Sequence, residues 1–322
     1  MAQNGKAPSL RDHRHNRRPQ LTPLPNKKRP SGFKIPAPAA VPLRDEGFEM
    51  DLAPRALIMG VLNVTPDSFS DGGRFVDPAR AIRHAKEMVS AGADLIDVGG
   101  ESTRPGAEPV SSEEELHRVI PVIERLSREV PVPVSIDTYK ADVARAALQA
   151  GARWVNDISA LRFDPGMADL IAESRVPVIL MHMKGTPGEM QKDPRYRSVV
   201  GEIYSFLEER IEFAVSAGIR REQIVIDPGI GFGKRTQDNL MILAGLDRFQ
   251  SLGRPILLGT SRKSFIGQVL DLPVDERLEG TAATLAIGLM KGARIFRVHD
   301  VGPAVRVIRM AEAIFKEERM KC

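Results

Sequence analysis

The chain has 322 residues, 42% of them hydrophobic and 27% charged, which is enough apolar material for a large core. It contains no run of about 18 or more apolar residues, and its first residues lack the apolar stretch of a secretory signal, so we expect no membrane span and no export. The single cysteine, Cys322, excludes a disulfide framework and a cysteine-based metal site, as is typical of a cytoplasmic protein.

The first 50 residues differ in composition from the rest of the chain. Residues 1–50 contain ten Lys and Arg against four Asp and Glu, whereas the remainder contains 36 against 38. The same 50 residues hold eight of the 24 prolines and almost no periodic apolar pattern. Such a segment cannot bury enough surface to offset its ordering entropy. We therefore predict a disordered, basic, proline-rich extension at 1–50 and one folded domain at 51–322. A nucleic-acid-binding arm is the alternative, but a solvated tail without a nucleic-acid partner is favoured.

From residue 56 onward, short apolar runs alternate with amphipathic stretches. The apolar runs are 56–64, 94–99, 132–137, 154–158, 177–182, 224–227, 255–260 and 295–299. They are rich in Val, Ile and Leu without strict alternation, which is typical of parallel strands covered on both faces.

The stretches between these runs have the period of a helix. In 77–91, Asp77 can cap a helix, Pro78 suits its first position and Gly92 follows as a stop. The other predicted helices are 112–129, 140–150, 166–174, 197–217, 237–251, 276–291 and 303–317. Eight such units predict the α/β class and a single (β/α)8 TIM barrel. A doubly wound open sheet is the alternative, but its G-x-G-x-x-G turn is missing from VLNVTPDSFS.

Polar residues stand at the end of every predicted strand. They are Asn63, Asp97, Asp137, Asn156, Asp157, His182, Asp227, Ser261, Arg262, Lys263, Arg297 and His299. Active sites of this barrel lie at the C-terminal ends of the strands, and a ring of unpaired buried polar groups would be costly without a ligand. The carboxylates and amides suit the donor edge of an aminopyrimidine-type ring, and the cations of the last two strands suit a phosphate.

Three of these residues have structural alternatives. Asp97 and Asp157 could hydrogen-bond neighbouring loops, and His182 could be held by a backbone carbonyl. The spacings of His, Asp and Glu match no compact metal motif. The glycine-rich stretch DPGIGFGK at 227–234 is not a phosphate-binding P-loop, because Arg235 follows Lys234. By itself it predicts only a tight loop.

Eight stretches in order closely resemble the motifs of the dihydropteroate synthases. They are MGVLNVTPDSFSDGG at 59–73, GADLIDVGGESTRPGA at 92–107, SIDTYK at 135–140, WVNDIS at 154–159, MHMKGTP at 181–187, IDPGIGFGK at 226–234, GTSRKSFIG at 259–267 and RVHDV at 297–301. The resemblance spans about residues 55–318 and leaves out the predicted extension.

The resemblance implies a transferase of folate biosynthesis. Such an enzyme joins 4-aminobenzoate to 6-hydroxymethyl-7,8-dihydropterin diphosphate and releases 7,8-dihydropteroate and diphosphate. It also implies a homodimer, and Mg²⁺ as a cofactor held by Asn63. By the resemblance, Asp137, Asn156, Asp227 and Lys263 bind the pterin, Thr103, Arg297 and His299 bind the diphosphate, and Arg104, Phe232 and Ser264 lie near the aminobenzoate. Lys263, Arg297 and His299 are the expected catalytic residues.

Two other functions remain open from the sequence. A folate-dependent methyltransferase shares the barrel and the pterin site, although the diphosphate-binding residues argue against it. A catalytically silent paralogue would bind without turnover, although no motif residue is missing.

Overall fold

The computed structural model describes residues 1, 42–45, 48–51, 55–65, 77–102 and 106–319. Two short strands come first: β1 at Pro42–Asp45 pairs antiparallel with β2 at Phe48–Asp51. They overlap the end of the predicted extension at 1–50. Residues 2–41 lie outside the described residues, and their disorder stays a prediction.

Eight parallel strands then close into a barrel, which confirms the predicted TIM-barrel architecture. The barrel strands are β3 Leu57–Asn63, β4 Leu95–Gly99, β5 Val134–Asp137, β6 Trp154–Asp157, β7 Val178–Met181, β8 Ile224–Asp227, β9 Ile256–Leu258 and β10 Ala293–Val298. Each strand lies beside its neighbours in sequence, and β10 closes the ring on β3. Within the described residues, no helix is long and apolar enough to cross a membrane.

The helices surround the barrel and connect its strands. They are α1 Pro78–Ser90, α2 Ser112–Glu129, α3 Ala141–Gln149, α4 Gly166–Ser174, α5 Val199–Ser216, α6 Thr236–Ala244, α7 Ser264–Leu270, α8 Leu278–Met290 and α9 Val301–Arg319. Asp77 caps α1 as predicted, accepting a hydrogen bond from the backbone N–H of Ala79 at 2.9 Å. The predicted helix 237–251 divides, because α6 ends before Gly245 and a 3₁₀ helix follows at Leu246–Leu252. Helix α7 was not predicted, since seven residues are too few to show a helical period.

The interior of the barrel is apolar in the middle of the strands and polar at their C-terminal ends. The apolar part is filled by Leu57, Met59, Leu95, Trp154, Ile179, Val225, Leu257 and Ile295. Side chains of a strand return to the same face every second residue. Two positions further along four of these strands stand Asp97, Asn156, Asp227 and Arg297. The strand period therefore directs these polar side chains into the barrel mouth, above an apolar plug.

Candidate functional site

An ion-pair network around Arg297 forms the floor of the barrel mouth. Arg297 Nε donates to Asp97 Oδ2 at 2.7 Å, and its Nη2 donates to Asp137 Oδ2, also at 2.7 Å. Asn156 Nδ2 donates to the same Asp97 oxygen at 3.0 Å. Strands β4, β5, β6 and β10 each supply one of these side chains. The barrel thus brings together groups that are up to 200 residues apart in sequence.

The carboxylates of this floor retain unused acceptor capacity. Asp97 is fully buried, and neither its Oδ1 nor Asp137 Oδ1 has a donor among the described residues. Burial raises the pKa of Asp137 to about 7; the charge of Arg297 opposes this shift and that of Asp97 adds to it. A buried acceptor without a donor is costly. The floor is therefore suited to a ligand that presents N–H groups.

A third carboxylate, Asp227, ends β8 opposite this network. Its Oδ1 accepts a hydrogen bond from the backbone N–H of Gly229 at 2.7 Å. Burial raises the pKa of Asp227 to about 6, although that hydrogen bond and the charge of Lys263 lower it. Gly229 has φ of +67°, and a Cβ on it would lie 2.0 Å from the carbonyl oxygen of His182. The loop after β8 therefore requires glycine at this position to hold Asp227 in place.

A buried lysine organises the same loop. Lys234 Nζ contacts His182 Nδ1 at 2.9 Å and donates to the carbonyl oxygens of His182 at 3.2 Å and Phe232 at 2.9 Å. Burial lowers the pKa of Lys234 and also that of His182, which packs edge-on against Phe206 with ring centroids 4.8 Å apart. These contacts favour the structural interpretation of His182 over a catalytic one.

Lys263 follows β9, the neighbour of β8, and lies against the loop after Asp227, where a Cβ on Gly231 would be 3.2 Å from its Cδ. Its Nζ sits 4.1 Å from the centre of the Phe232 ring, within the range of a cation–π contact. Ser264 follows as the first residue of α7 and is exposed. The structure thus brings Lys263, Phe232 and Ser264 together at one side of the opening.

The end of β10 carries the remaining predicted cation. His299 Nδ1 lies 3.0 Å from Ser261 Oγ, and the same oxygen accepts from the His299 backbone N–H at 3.2 Å. Partial burial and the nearby charges of Arg297 and Arg262 lower the pKa of His299 to about 4. The imidazole is therefore neutral at neutral pH.

Asn63 ends β3 in register with Gly99 of β4, which in turn pairs with Asp137. A Cβ on Gly99 would lie 3.7 Å from Asn63 Oδ1 and 3.8 Å from Asp137 Oδ2. Two oxygens that could serve as metal ligands therefore lie close to the same point, beside Gly99. Among the described residues, no cluster of three His, Cys, Asp or Glu could hold a metal by itself. The donors fit a hard cation that takes most of its ligands from substrate oxygens and water.

Two predicted site residues, Thr103 and Arg104, lie outside the described residues. Two other residues were not assigned to the site from the sequence but lie at its centre. The sequence marks Asp97 only as a strand end with a structural alternative, and Lys234 only as the end of a glycine-rich stretch. Leu95 and Asp97 lie two residues apart on β4 and so share its inward face, and this strand period is the sequence signal that could have assigned Asp97 to the site. Two of the three acceptors of Lys234 belong to His182, 52 residues earlier in the sequence, so no local pattern reveals it.

Comparison with known proteins identifies the family. The family model described as "Pterin binding enzyme" matches residues 59–299. The dihydropteroate synthase of Bacillus subtilis is 51% identical over 263 residues, which cover 82% of this chain and 90% of that protein. The chain belongs to the dihydropteroate synthase family.

Solved structures of dihydropteroate synthases share the whole barrel. The enzyme of Yersinia pestis, in complex with a sulfonamide drug, has 45% identity and a TM-score of 0.81, covering 85% of this chain and 99% of that one. The enzyme of Xanthomonas albilineans with 4-aminobenzoic acid has 47% identity and a TM-score of 0.80, covering 85% and 98%. The alignment therefore extends over nearly the full length of each of these synthases.

Proposed function

We propose that this dihydropteroate synthase joins 4-aminobenzoate to 6-hydroxymethyl-7,8-dihydropterin diphosphate, giving 7,8-dihydropteroate and diphosphate. The observation that carries this proposal is the acceptor-rich floor of the barrel mouth, where buried carboxylates retain oxygens without donors. A pterin presents N–H groups along one edge and matches such a floor. Structures of the Xanthomonas albilineans enzyme with 4-aminobenzoic acid and with 7,8-dihydropteroate support the assignment of both substrates.

The pterin is held by acceptors of three strands. Asp137, Asn156 and Asp227 accept from its N–H groups, and each charge-assisted bond contributes about 1.5–3 kcal/mol. Lys263 donates to an acceptor atom of the ring. Arg297 donates to one oxygen each of Asp97 and Asp137 and so fixes the position of both carboxyl groups in the floor.

The chemical step separates the diphosphate from the pterin methylene. The C–O bond to the diphosphate breaks and positive charge develops on the methylene carbon. The amine nitrogen of 4-aminobenzoate then forms the new C–N bond and releases one proton to water. Lys263, Arg297 and His299, together with Thr103, stabilise the departing anion. Catalysis is then electrostatic stabilisation and positioning rather than covalent participation of the protein.

The other roles concern the metal and the second substrate. Asn63 would hold Mg²⁺ through its amide oxygen, and the bound ion would neutralise charge on the diphosphate oxygens. Phe232 and Ser264, with Arg104, contact the 4-aminobenzoate. Phe232 offers a ring face for this contact, and Lys263 holds the ring through its cation–π contact.

We also propose that the enzyme is a cytoplasmic homodimer. Large exposed apolar side chains concentrate on α6, α7, α8 and α9 and on the α7–α8 connection, at Leu240, Met241, Val269, Leu270, Val274, Leu278, Ile287, Met290, Met310 and Ile314. These helices pack against one another, so the side chains lie on one side of the barrel. Contiguous apolar surface of this kind is typical of a protein–protein interface.

An assay of diphosphate release tests the function. With both substrates and Mg²⁺, diphosphate should appear together with 7,8-dihydropteroate in equal amounts, and omission of 4-aminobenzoate should abolish the pteroate. Binding of both substrates without release would instead indicate a silent paralogue. Methyl transfer from methyl-tetrahydrofolate to a corrinoid, without pteroate formation, would indicate the methyltransferase.

A further inference from the structure

A second group of buried charges lies beside the barrel mouth, outside the pterin floor. Lys140 Nζ donates to Glu101 Oε2 at 2.5 Å and to Glu115 Oε2 at 2.7 Å. It also donates to the carbonyl oxygen of Val110 at 2.7 Å. The side chains of Lys140, Glu101 and Glu115 are 14%, 6% and 1% exposed. The three N–H groups of one ammonium are therefore matched by three acceptors away from solvent.

The partners of Lys140 stand at the two ends of one segment. Glu101 immediately precedes residues 102–109, and Val110 immediately follows them. Glu101 is held a second time, because Tyr139 Oη donates to its Oε1 at 2.8 Å. Glu115 belongs to α2 and anchors the ammonium to the barrel wall. A single side chain thus ties the beginning and the end of the β4–α2 connection to one point, which we call the Lys140 clasp.

Burying the charges of the Lys140 clasp costs desolvation free energy, so the clasp is a poor means of gaining stability. It buries two carboxylates with one ammonium, and Glu115 Oε1 has no donor among the described residues. Burial raises the pKa of Glu115 despite the opposing charge of Lys140. Replacing buried ion pairs by apolar groups of similar volume is often neutral or stabilising. The buried charges of the clasp are therefore weak evidence for a gain in stability.

The clasp is connected to the pterin floor through short stretches of backbone. Lys140 follows Asp137 by three residues and immediately precedes α3. Glu101 follows Gly99 by two residues, and Gly99 pairs with both Asn63 and Asp137. The positions of the two clasped ends are therefore fixed relative to the residues that hold the pterin and the metal.

We propose that Lys140 is a positioning residue for the transferase reaction, because it fixes Glu101 and Val110, the two ends of the β4–α2 connection, relative to the pterin floor. The proposal rests on the proposed function, because Thr103 and Arg104 of this segment are expected to contact substrate. Lys140 itself contacts neither substrate and acts through Glu101 and Val110.

The experiment compares Lys140→Met and Lys140→Arg with the wild type. Lys140→Met/Glu115→Met serves as the second test variant. It removes one positive and one negative charge, so only one buried carboxylate, that of Glu101, loses its ammonium partner. Lys291→Met is the matched control, since Lys291 is 18% exposed, pairs with Asp247 at 3.0 Å and precedes β10 at the opposite end of the barrel. Hydrogen–deuterium exchange of peptides covering 101–111 is measured on each protein without substrates, followed by steady-state kinetics and calorimetry with 6-hydroxymethyl-7,8-dihydropterin.

In Lys140→Met and the double variant, exchange should accelerate in 101–111 and stay unchanged around Asp227. Their kcat/KM for 4-aminobenzoate should fall by about 100-fold, the effect of misplacing a group by ~1 Å, while affinity for the pterin is retained. Lys140→Arg should recover part of the loss, and Lys291→Met should behave as the wild type.

Unchanged exchange in 101–111, or unchanged kcat/KM in the double variant, would overturn the proposal. Equal loss of pterin affinity and of kcat/KM would also overturn it, because that result indicates general damage to the site. A failure of the proposed function is distinguishable, since the wild type would then form no pteroate although the exchange difference remained.

Discussion

Asp227 has a carboxyl group that burial makes difficult to ionise. Its pKa of about 6 in the folded protein exceeds the ordinary value of 3.8, so the folded state binds more protons than the unfolded state between these pH values. Stability contributed by this group therefore falls as the pH rises from about 4 to 6, and above that the ionised group is a constant cost. This loss of folding stability is the consequence of keeping a charged acceptor in a binding pocket shielded from water.

The substitution Asp227→Asn should consequently separate stability from binding. We expect the free variant to be more stable than the wild type by ~1–3 kcal/mol at pH 7.5, with the gain disappearing near pH 4. Pterin diphosphate should bind much more weakly, because a neutral amide replaces the charged acceptor. Urea unfolding at both pH values and calorimetry measure the two effects.

Asp238 provides the matched control for this experiment. Burial raises the pKa of Asp238, but the hydrogen bonds from Arg235 outweigh this effect and hold the pKa below its ordinary value. Asp238→Asn should therefore lose stability at pH 7.5 rather than gain it. An Asp227→Asn variant that is destabilised at neutral pH and keeps its pterin affinity would contradict the role of Asp227.

The loop between β8 and α6 depends on close contact with the end of β7. Gly229 and Gly233 both have positive φ, and a Cβ on either would lie within 2.4 Å of a carbonyl oxygen of His182 or Lys184. The buried Lys234 ammonium then joins the loop to the residue after β7, because it contacts His182 Nδ1 and donates to the carbonyl oxygens of His182 and Phe232. The loop is therefore a rigid support for Asp227 and Phe232.

We expect Gly229→Ala to destabilise the enzyme by more than ~1 kcal/mol, because alanine is strained at this φ and clashes with backbone. The affinity for pterin should fall as well, since the Gly229 N–H orients Asp227. Gly253→Ala is the control: its φ is also positive, at +68°, but a Cβ there meets no atom within 4 Å. Thermal unfolding of both variants measures the difference, and equal melting temperatures would show that the contact with His182 yields without cost.

The apolar surface formed by α6 to α9 concerns the assembly of the whole enzyme. Met310 and Ile314 are 64% and 55% exposed and lie one helical turn apart on α9, so they form one patch. Met310→Glu/Ile314→Glu should convert a dimer into monomers, because charged groups are costly in an apolar interface. Light scattering after size exclusion gives the mass of each protein.

Val215→Glu on α5 controls for the added charge, because Val215 is exposed outside this patch. The control variant should keep the mass of the wild type. A wild-type protein that is monomeric at all concentrations, or a double variant that remains dimeric, would contradict an interface at this surface.

Local pattern alone determined the architecture of this protein and most of the residues at its barrel mouth. Apolar runs separated by helical periods required eight parallel strands, and the period of two along each strand fixed which side chains point inward. Asp137, Asn156, Asp227, Lys263, Arg297 and His299 were therefore predictable as a group. The short helix α7 was not, because its seven residues are too few to show a period.

Only the tertiary structure determined how these groups are paired. Arg297 meets Asp97 across 200 residues of sequence, and Lys140 meets Glu101 and Glu115 across 39 and 25. Lys234 has two of its acceptors on His182, which follows β7, and the third on its own loop. No local period encodes such pairs, because they depend on closure of the barrel. Desolvation, and hence the raised pKa values of Asp137 and Asp227, arises only when the strands enclose these side chains.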